Sequence, residues 1–367
     1  MRSLITMILL GCFAVMLCSE PTHVAGKDKD KAKDKEKDKD KKPAPLMPPV
    51  INPAIAKIDF TVTGLDGPGF AIAAGESGTI VVGCENGTLQ AYKKEAVAAF
   101  RAGTAKPDVW KGHDGPVRVA VWTGGPTLVS AGADKKVNFW SLPDGKKAQT
   151  ATVDFRVLAG AMSKDGKIFA VGGESESIQL FDVATGKPTA KLTDKMDWTL
   201  ALAFSADGKQ MLSGDYLGVV RLWDVGGKKI AELPAKPVPA PKTPPDPVST
   251  TSVAFGPDGK TAFIGTADGP IQVVNLGDGK IARTLVGHTG PVTGMIFHPT
   301  GTLLATVSKD RTVKLWNPAA APPLKSLDGH TAWIEGVAFI DENTKLATVS
   351  ADQTIKIWDL AEPPKKK

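Results

Sequence analysis

The chain has 367 residues, 45 Lys and Arg against 39 Asp and Glu, and a formal charge of +6. That charge sits at the ends: residues 27–42 contribute +3 and Lys365, Lys366 and Lys367 another +3, so the remainder is about neutral. A basic face able to neutralise phosphates is thereby excluded, and no nucleic-acid partner is expected.

Residues 1–26 read as a signal peptide. Arg2 precedes an apolar run from Leu4 to Leu17, 14 residues long, which is too short to span a bilayer. Cleavage after Ala25 or Gly26 suits the small-residue requirement and would leave a mature chain without a transmembrane helix. Leu9-Leu10-Gly11-Cys12 is a competing lipoprotein box that would place a lipid on Cys12, although the apolar Phe13 to Leu17 just beyond it argues against this. Both readings export the chain, to a periplasm, a cell envelope or the medium.

Residues 27–53 form a linker. Nine Lys alternate with six acids up to Lys42, a composition that cannot bury apolar surface and is expected to be disordered. An EF-hand loop counted from Asp28 would place its Gly at Lys33 and its Glu at Lys39, so the calcium pattern fails. Pro43 to Pro53 then makes a stiffer spacer.

From residue 54 to 361 the sequence repeats. The last two units start at Gly287 and Gly329, and His288, Asp310 and Trp316 recur as His330, Asp352 and Trp358, each 42 residues later. Counted by the Trp position, the units end at Tyr92, Trp140, Phe181, Trp223, Val274, Trp316 and Trp358, at spacings of 48, 41, 42, 51, 42 and 42. The longest interval holds a Pro-rich insertion, 234–247, and the interval of 48 holds a lengthened loop after Tyr92. Inside each unit, short period-two apolar runs are separated by turn residues, which predicts antiparallel strands. Asp165-Gly166, Asp207-Gly208, Asp258-Gly259 and Thr300-Gly301 supply hairpins, because Gly tolerates positive φ. The last unit leaves no room for a fourth strand before the basic tail, 362–367. Residues 55–62 (IAKIDFTV) alternate as a strand should and are predicted to complete that unit and close a ring.

The period and the His, Asp and Trp positions resemble the WD-repeat (WD40) family. The resemblance implies an all-β fold: a seven-bladed β-propeller of four-stranded antiparallel sheets, closed by an N-terminal strand. It also implies a structural relay in each complete unit: His113, Ser130, Asp134 and Trp140; His288, Thr306, Asp310 and Trp316; His330, Thr348, Asp352 and Trp358. The middle units depart from it, with Val153 and Ser175, then Lys195 and Leu217, at the His and Asp positions; the unit ending at Val274 has Asp246 for His but keeps Asp268. In this family partners bind the narrower face, lined by residues at the start of each inner strand and just before the relay Asp. Carried over position by position, these give Arg118, Arg156, Trp198, Tyr216, Lys309, Trp333 and Glu335, aromatic and charged side chains of the kind that anchor interfaces. The competing reading is that Trp198 and Trp333 fill space between blades.

No catalytic constellation emerges. Three of the five His belong to relays, His23 lies beside the signal and His298 sits in a hairpin. Gly256 to Thr261 only mimics a phosphate loop, and no Cys/His cluster offers a zinc site. Of the three Cys, Cys12 and Cys18 lie in the signal, and Cys84 reads as a buried thiol at the end of an inner strand, so a disulfide framework is excluded from the mature chain. The expected function is an exported, monomeric, non-enzymatic scaffold that holds a protein partner on its narrow face, with no metal and no cofactor. The alternatives are an exported propeller enzyme of hydrolase, lactonase or quinoprotein type with a ligand in the central channel, and a structural component of a cell envelope.

Overall fold

The computed structural model describes residues 50–362, apart from 76–77, 95–96, 105, 123–124 and 235–247. The expected signal peptide with Cys12, the charged arm, nearly all of the Pro-rich insertion and the basic tail beyond Glu362 lie outside the described residues. Seven four-stranded antiparallel sheets stand around a central channel. In chain order they are blade 1 (69–111), blade 2 (117–152), blade 3 (157–193), blade 4 (199–233), blade 5 (250–285), blade 6 (292–327) and blade 7 (334–359 with 57–62). Each blade runs from the channel outward, its first strand innermost.

Burial follows this layout. The two middle strands of a blade are covered on both sides by neighbouring blades, and Ile80–Cys84, Thr88–Tyr92, Leu304–Ser308 and Val313–Trp316 are buried at every position. They therefore read as largely apolar or small-residue runs, with Gln90 and Lys314 as buried polar exceptions. Outer strands such as Lys146–Thr152 meet solvent and keep their polar residues. Cys84 is buried at the end of the second strand of its blade, not the innermost, and burial pushes its thiol up to about 11, which makes it inert. The expected hairpins form, with Gly166, Gly208, Gly259 and Gly301 at φ of 71°, 70°, 65° and 74°.

The ring closes as predicted. Lys57–Val62 pairs antiparallel with Ile355–Asp359 as the outermost strand of blade 7. Farther out, Ile51 bridges Ala361, and Asn52 donates its backbone N–H to Leu360 at 2.8 Å. The long stretch after Tyr92 is more than a loop: Val97–Arg101 is a short helix. Its Phe100 packs against Tyr92 at 4.9 Å, and Arg101 pairs with Asp59 of the closing strand at 2.7 Å while lying over Phe60. Lys345 reaches the same Asp59 from inside blade 7, at 3.1 Å. One apolar cluster, including Val62, Val82, Tyr92, Phe100, Val349 and Ile357, then joins the last blade to the first.

In blades 2, 6 and 7 the relay residues form one chain of hydrogen bonds. His113 Nδ1 lies 2.9 Å from Asp134, His113 Nε2 lies 2.8 Å from Ser130 Oγ, and Trp140 Nε1 donates to the same hydroxyl at 2.8 Å. His288 and His330 repeat the pattern with Asp310 and Thr306, and with Asp352 and Thr348, at 2.7–2.8 Å, and their Trp partners donate at 2.8 and 2.9 Å. A carboxylate only accepts, so Nδ1 carries the proton, and a neutral Nε2 accepts from the hydroxyl. Each Asp also ties the next turn: Asp310 Oδ1 accepts from Thr312 N at 2.9 Å and Oδ2 from Thr289 N at 3.1 Å. In six of the seven blades, all but blade 3, the residue directly after the Asp position is left-handed. Blades 1, 4 and 5 place Gly87, Gly218 and Gly269 there, whereas the relay blades hold Lys135, Arg311 and Gln353 at φ of 67°, 72° and 63°. A left-handed non-Gly residue costs about 1–2 kcal/mol, which the Asp hydrogen bonds offset.

Burial lowers the basicity of His113, His288 and His330 below the ordinary imidazole value, outweighing the opposing pull of their Asp partners. For the Asp residues burial acts upward, but hydrogen bonds from His and from the turn outweigh it and hold Asp134, Asp310 and Asp352 below the usual carboxylate range. Both groups therefore bind protons more weakly folded than unfolded, so acid favours unfolding. The unfolding free energy should be flat from pH 8 to 7, fall below about pH 6.5 as unfolded imidazoles protonate, and fall further below about pH 4. Urea titrations across this range check it, and stability that rises on acidification from pH 7 to 5 would contradict the relay account.

Closure makes its own prediction. A chain beginning at residue 63 should expose the Ile355–Asp359 edge and oligomerise or aggregate in size-exclusion chromatography, whereas one beginning at residue 50 should remain monomeric with an unchanged Tm. An equally stable, monomeric 63–367 chain would remove closure as a requirement.

Candidate functional site

Every inner strand carries a β-bulge at its second residue. The pairing register skips one residue in each of the seven blades, and the skipped residues are Phe70, Arg118, Leu158, Leu200, Thr251, Thr293 and Glu335. A bulge takes its residue out of the in–out alternation and re-aims the side chain. All seven line the same cavity of about 330 Å³ at the channel. The two Thr hydroxyls are spent on the neighbouring blade: Thr251 donates to Val292 O at 2.8 Å and Thr293 to Ile334 O at 2.5 Å.

Arg118 and Glu335 are not spent in this way. The Arg118 guanidinium lies over the Phe70 ring at 4.2 Å, and its Nε is buried with no acceptor among the described residues. Burial lowers its basicity, against a pull from Glu335. Burial likewise pushes the Glu335 carboxyl up, and Lys309 and Arg118 only partly hold it down. The sequence placed both residues on the face; the structure sets them back inside the channel mouth. It also adds Phe70, which stands at the same offset in blade 1 and could have been found by extending the inner-strand alignment one unit toward the N-terminus.

A second ring surrounds the mouth. In all seven blades the residue before the relay-Asp position donates its backbone N–H to the residue before the inner strand. Glu85 bonds Pro68, Ala133 Pro116, Glu174 Arg156, Tyr216 Trp198, Ala267 Ser249, Lys309 Pro291 and Ala351 Trp333, all at 2.9–3.1 Å. The two sequence positions chosen for partner contact are therefore neighbours in space. Trp198 and Tyr216 face each other with ring centres 6.0 Å apart, Arg156 pairs with Glu174 at 3.3 Å, and Lys309 crosses to the Trp333 ring of the next blade at 4.4 Å. Trp198, Tyr216 and Trp333 are 47%, 52% and 52% exposed, so they are not filler between blades. Leu217 extends the Trp198–Tyr216 patch. The seven residues therefore form local groups spread over several blades, not one continuous patch.

Blade 4 carries a strut that sequence reasoning missed. It lacks the relay His and Asp, yet Trp223 still donates to Ser213 Oγ at 2.8 Å. The buried Arg221 takes over the remaining work. Its guanidinium bonds Asp215 at 2.6 Å, Asp194 at 2.9 Å and the carbonyl of Lys195 at 2.5 Å. Asp194 also receives Lys229 at 2.7 Å, and with Arg221 this holds its carboxyl down at about 2. Arg221 thus clamps both chain segments that carry the aromatic pair: 194–198 leads to Trp198, and Asp215 directly precedes Tyr216. The only sequence signal was an Arg two residues before the Trp, a position where Lys314 and Lys356 stand in other blades.

Among the described residues no three His, Cys, Asp or Glu side chains converge as a metal site requires, and no helix is long and apolar enough to cross a membrane. A family model for the WD domain, G-beta repeat, matches residues 106–141, 186–224, 279–317 and 321–359. The chain is 30% identical over 192 residues to WD repeat-containing protein 82 of Drosophila melanogaster, covering 49% of this chain and 56% of that protein. It is 31% identical over 155 residues to Periodic tryptophan protein 2 of Arabidopsis thaliana, covering 42% of this chain and 16% of that protein. With WD repeat-containing protein VIP3 of Arabidopsis thaliana the identity is 28% over 198 residues, covering 51% and 62%. The matches thus span less than two thirds of each relative's length. With seven blades, four matched repeats and these relatives, the chain belongs to the WD-repeat β-propellers.

Proposed function

We propose that this protein is an exported, non-catalytic platform that holds a protein partner on the propeller face around the channel mouth. The observation that carries the reading is the set of half-exposed aromatics, Trp198, Tyr216 and Trp333, held on a rigid frame next to Arg156 and Lys309. Large aromatic side chains cost solvation when left in water, and on rigid backbone they lose little entropy on docking, which makes them effective anchors. Kinship with other WD-repeat proteins supports a scaffold over an enzyme. Export rests on the apolar run of residues 4–17, and the charged arm then acts as a spacer between the propeller and whatever its N-terminus meets.

The test is affinity purification of the tagged full chain from an envelope fraction, followed by mass spectrometry of the captured protein and of the chain's own N-terminus. Replacing Trp333 and Arg156 together by Ala should remove the partner, since truncating an interface anchor costs about 2 kcal/mol or more, and should leave the Tm unchanged. The mature chain should begin just after Ala25 or Gly26. Undiminished capture by the double variant, or a retained Met1, would refute the corresponding half of the reading.

A further inference from the structure

Two opposite charges stand at the channel mouth. Arg118 Nε is buried with no hydrogen-bond acceptor among the described residues, and Glu335, half-buried on the same cavity of about 330 Å³, is drawn to Arg118 and Lys309 only across the channel. Desolvating charged groups without hydrogen-bonding them is costly, so such groups in a native fold call for an explanation. The Phe70 ring covers one face of the guanidinium but gives Nε no acceptor, and of the seven side chains that the bulges re-aim into the mouth these are the two charged ones. The rest of the mouth offers a Phe70 ring already covered by Arg118, two hydroxyls whose protons are already donated, and the apolar Leu158 and Leu200. A complementary ligand must bring a carboxylate to the guanidinium, a cationic nitrogen to the carboxylate, and an apolar group to the leucines. The cavity is at the small end of the range for small-molecule sites.

We propose that the channel mouth binds a small aliphatic zwitterion of the α-amino-acid class, its carboxylate on Arg118 and its ammonium on Glu335. A guanidinium fork suits a carboxylate and Glu335 accepts from an ammonium, so each contact is charge-assisted. Partner capture is read at Trp333 and Arg156 and zwitterion binding at Arg118 and Glu335, so the two readings fail in different measurements.

Isothermal titration calorimetry on the full chain tests it, with leucine as the probe. N-acetylleucine, which lacks the ammonium, and leucinamide, which lacks the carboxylate, should each bind about tenfold to a hundredfold more weakly than leucine. Glu335→Gln should reduce leucine affinity by a similar factor and leave N-acetylleucine affinity unchanged. Arg118→Met should do the same for leucine and leave leucinamide unchanged; if that variant does not fold, the Glu335→Gln comparison decides alone. An end-capped Glu-Lys dipeptide brings the same two charges on side chains, as a docking protein would. Binding of that dipeptide but not of leucine, no heat with leucine at all, or leucine affinity indifferent to Glu335→Gln would each overturn the proposal.

Discussion

Everything in this molecule depends on the pairing of Lys57–Val62 with Ile355–Asp359. A four-stranded sheet cannot bury both of its faces alone, so each blade relies on its two neighbours. That arrangement only ends well if the last blade also finds the first. The chain achieves this by giving blade 7 its outer strand from the other end of the sequence, and the Val97–Arg101 helix of the first blade's insertion grips that strand through Asp59 and Phe60. The result is a closed ring in which every blade is covered by a neighbour on both faces and only the outer strands keep an open edge.

Rigidity at the mouth is built by three local devices that act on the same side of the disc. The bulges aim one side chain per blade into the channel. The repeated backbone bond between the pre-strand and pre-turn residues fixes a second ring around it. The relay in blades 2, 6 and 7, or Arg221 in blade 4, ties the turn to the strand beneath. Blade 4 is instructive, because it lacks the His–Asp pair and carries the exposed Trp198–Tyr216–Leu217 patch. A guanidinium with three acceptors on two chain segments holds Trp198 and Tyr216 in place where the imidazole would have stood. Buried ion clusters rarely add much net stability, but they specify geometry.

How much of this was legible in the sequence follows from what each device requires. Relays require particular residue types at fixed offsets, so blades 2, 6 and 7 could be read directly, and the alternation of residues 55–62 revealed the closing strand. The repeat units ending at Tyr92, Phe181 and Val274, the three without the Trp, lie outside the family-model matches as well. Bulges left no compositional trace: the skipped residue is Phe, Arg, Leu, Thr or Glu, because what matters is the pairing register. For that reason Arg118 and Glu335 were chosen from the sequence by position, while their retreat into the mouth was not. Arg221 was invisible because Arg at that strand position is ordinary until Asp194 and Asp215 are brought around it by the fold.

The central claim is that the face bearing the channel mouth is the working surface of this disc. Hydrogen exchange on the chain with and without its captured partner measures this directly. Protection is expected at the turns carrying Trp198, Tyr216, Lys309 and Trp333 and at the first residues of the inner strands, with the opposite hairpins at Gly166, Gly208 and Gly259 unchanged. Protection confined to those hairpins or to the outer strands would show that the partner is held elsewhere and would contradict the account.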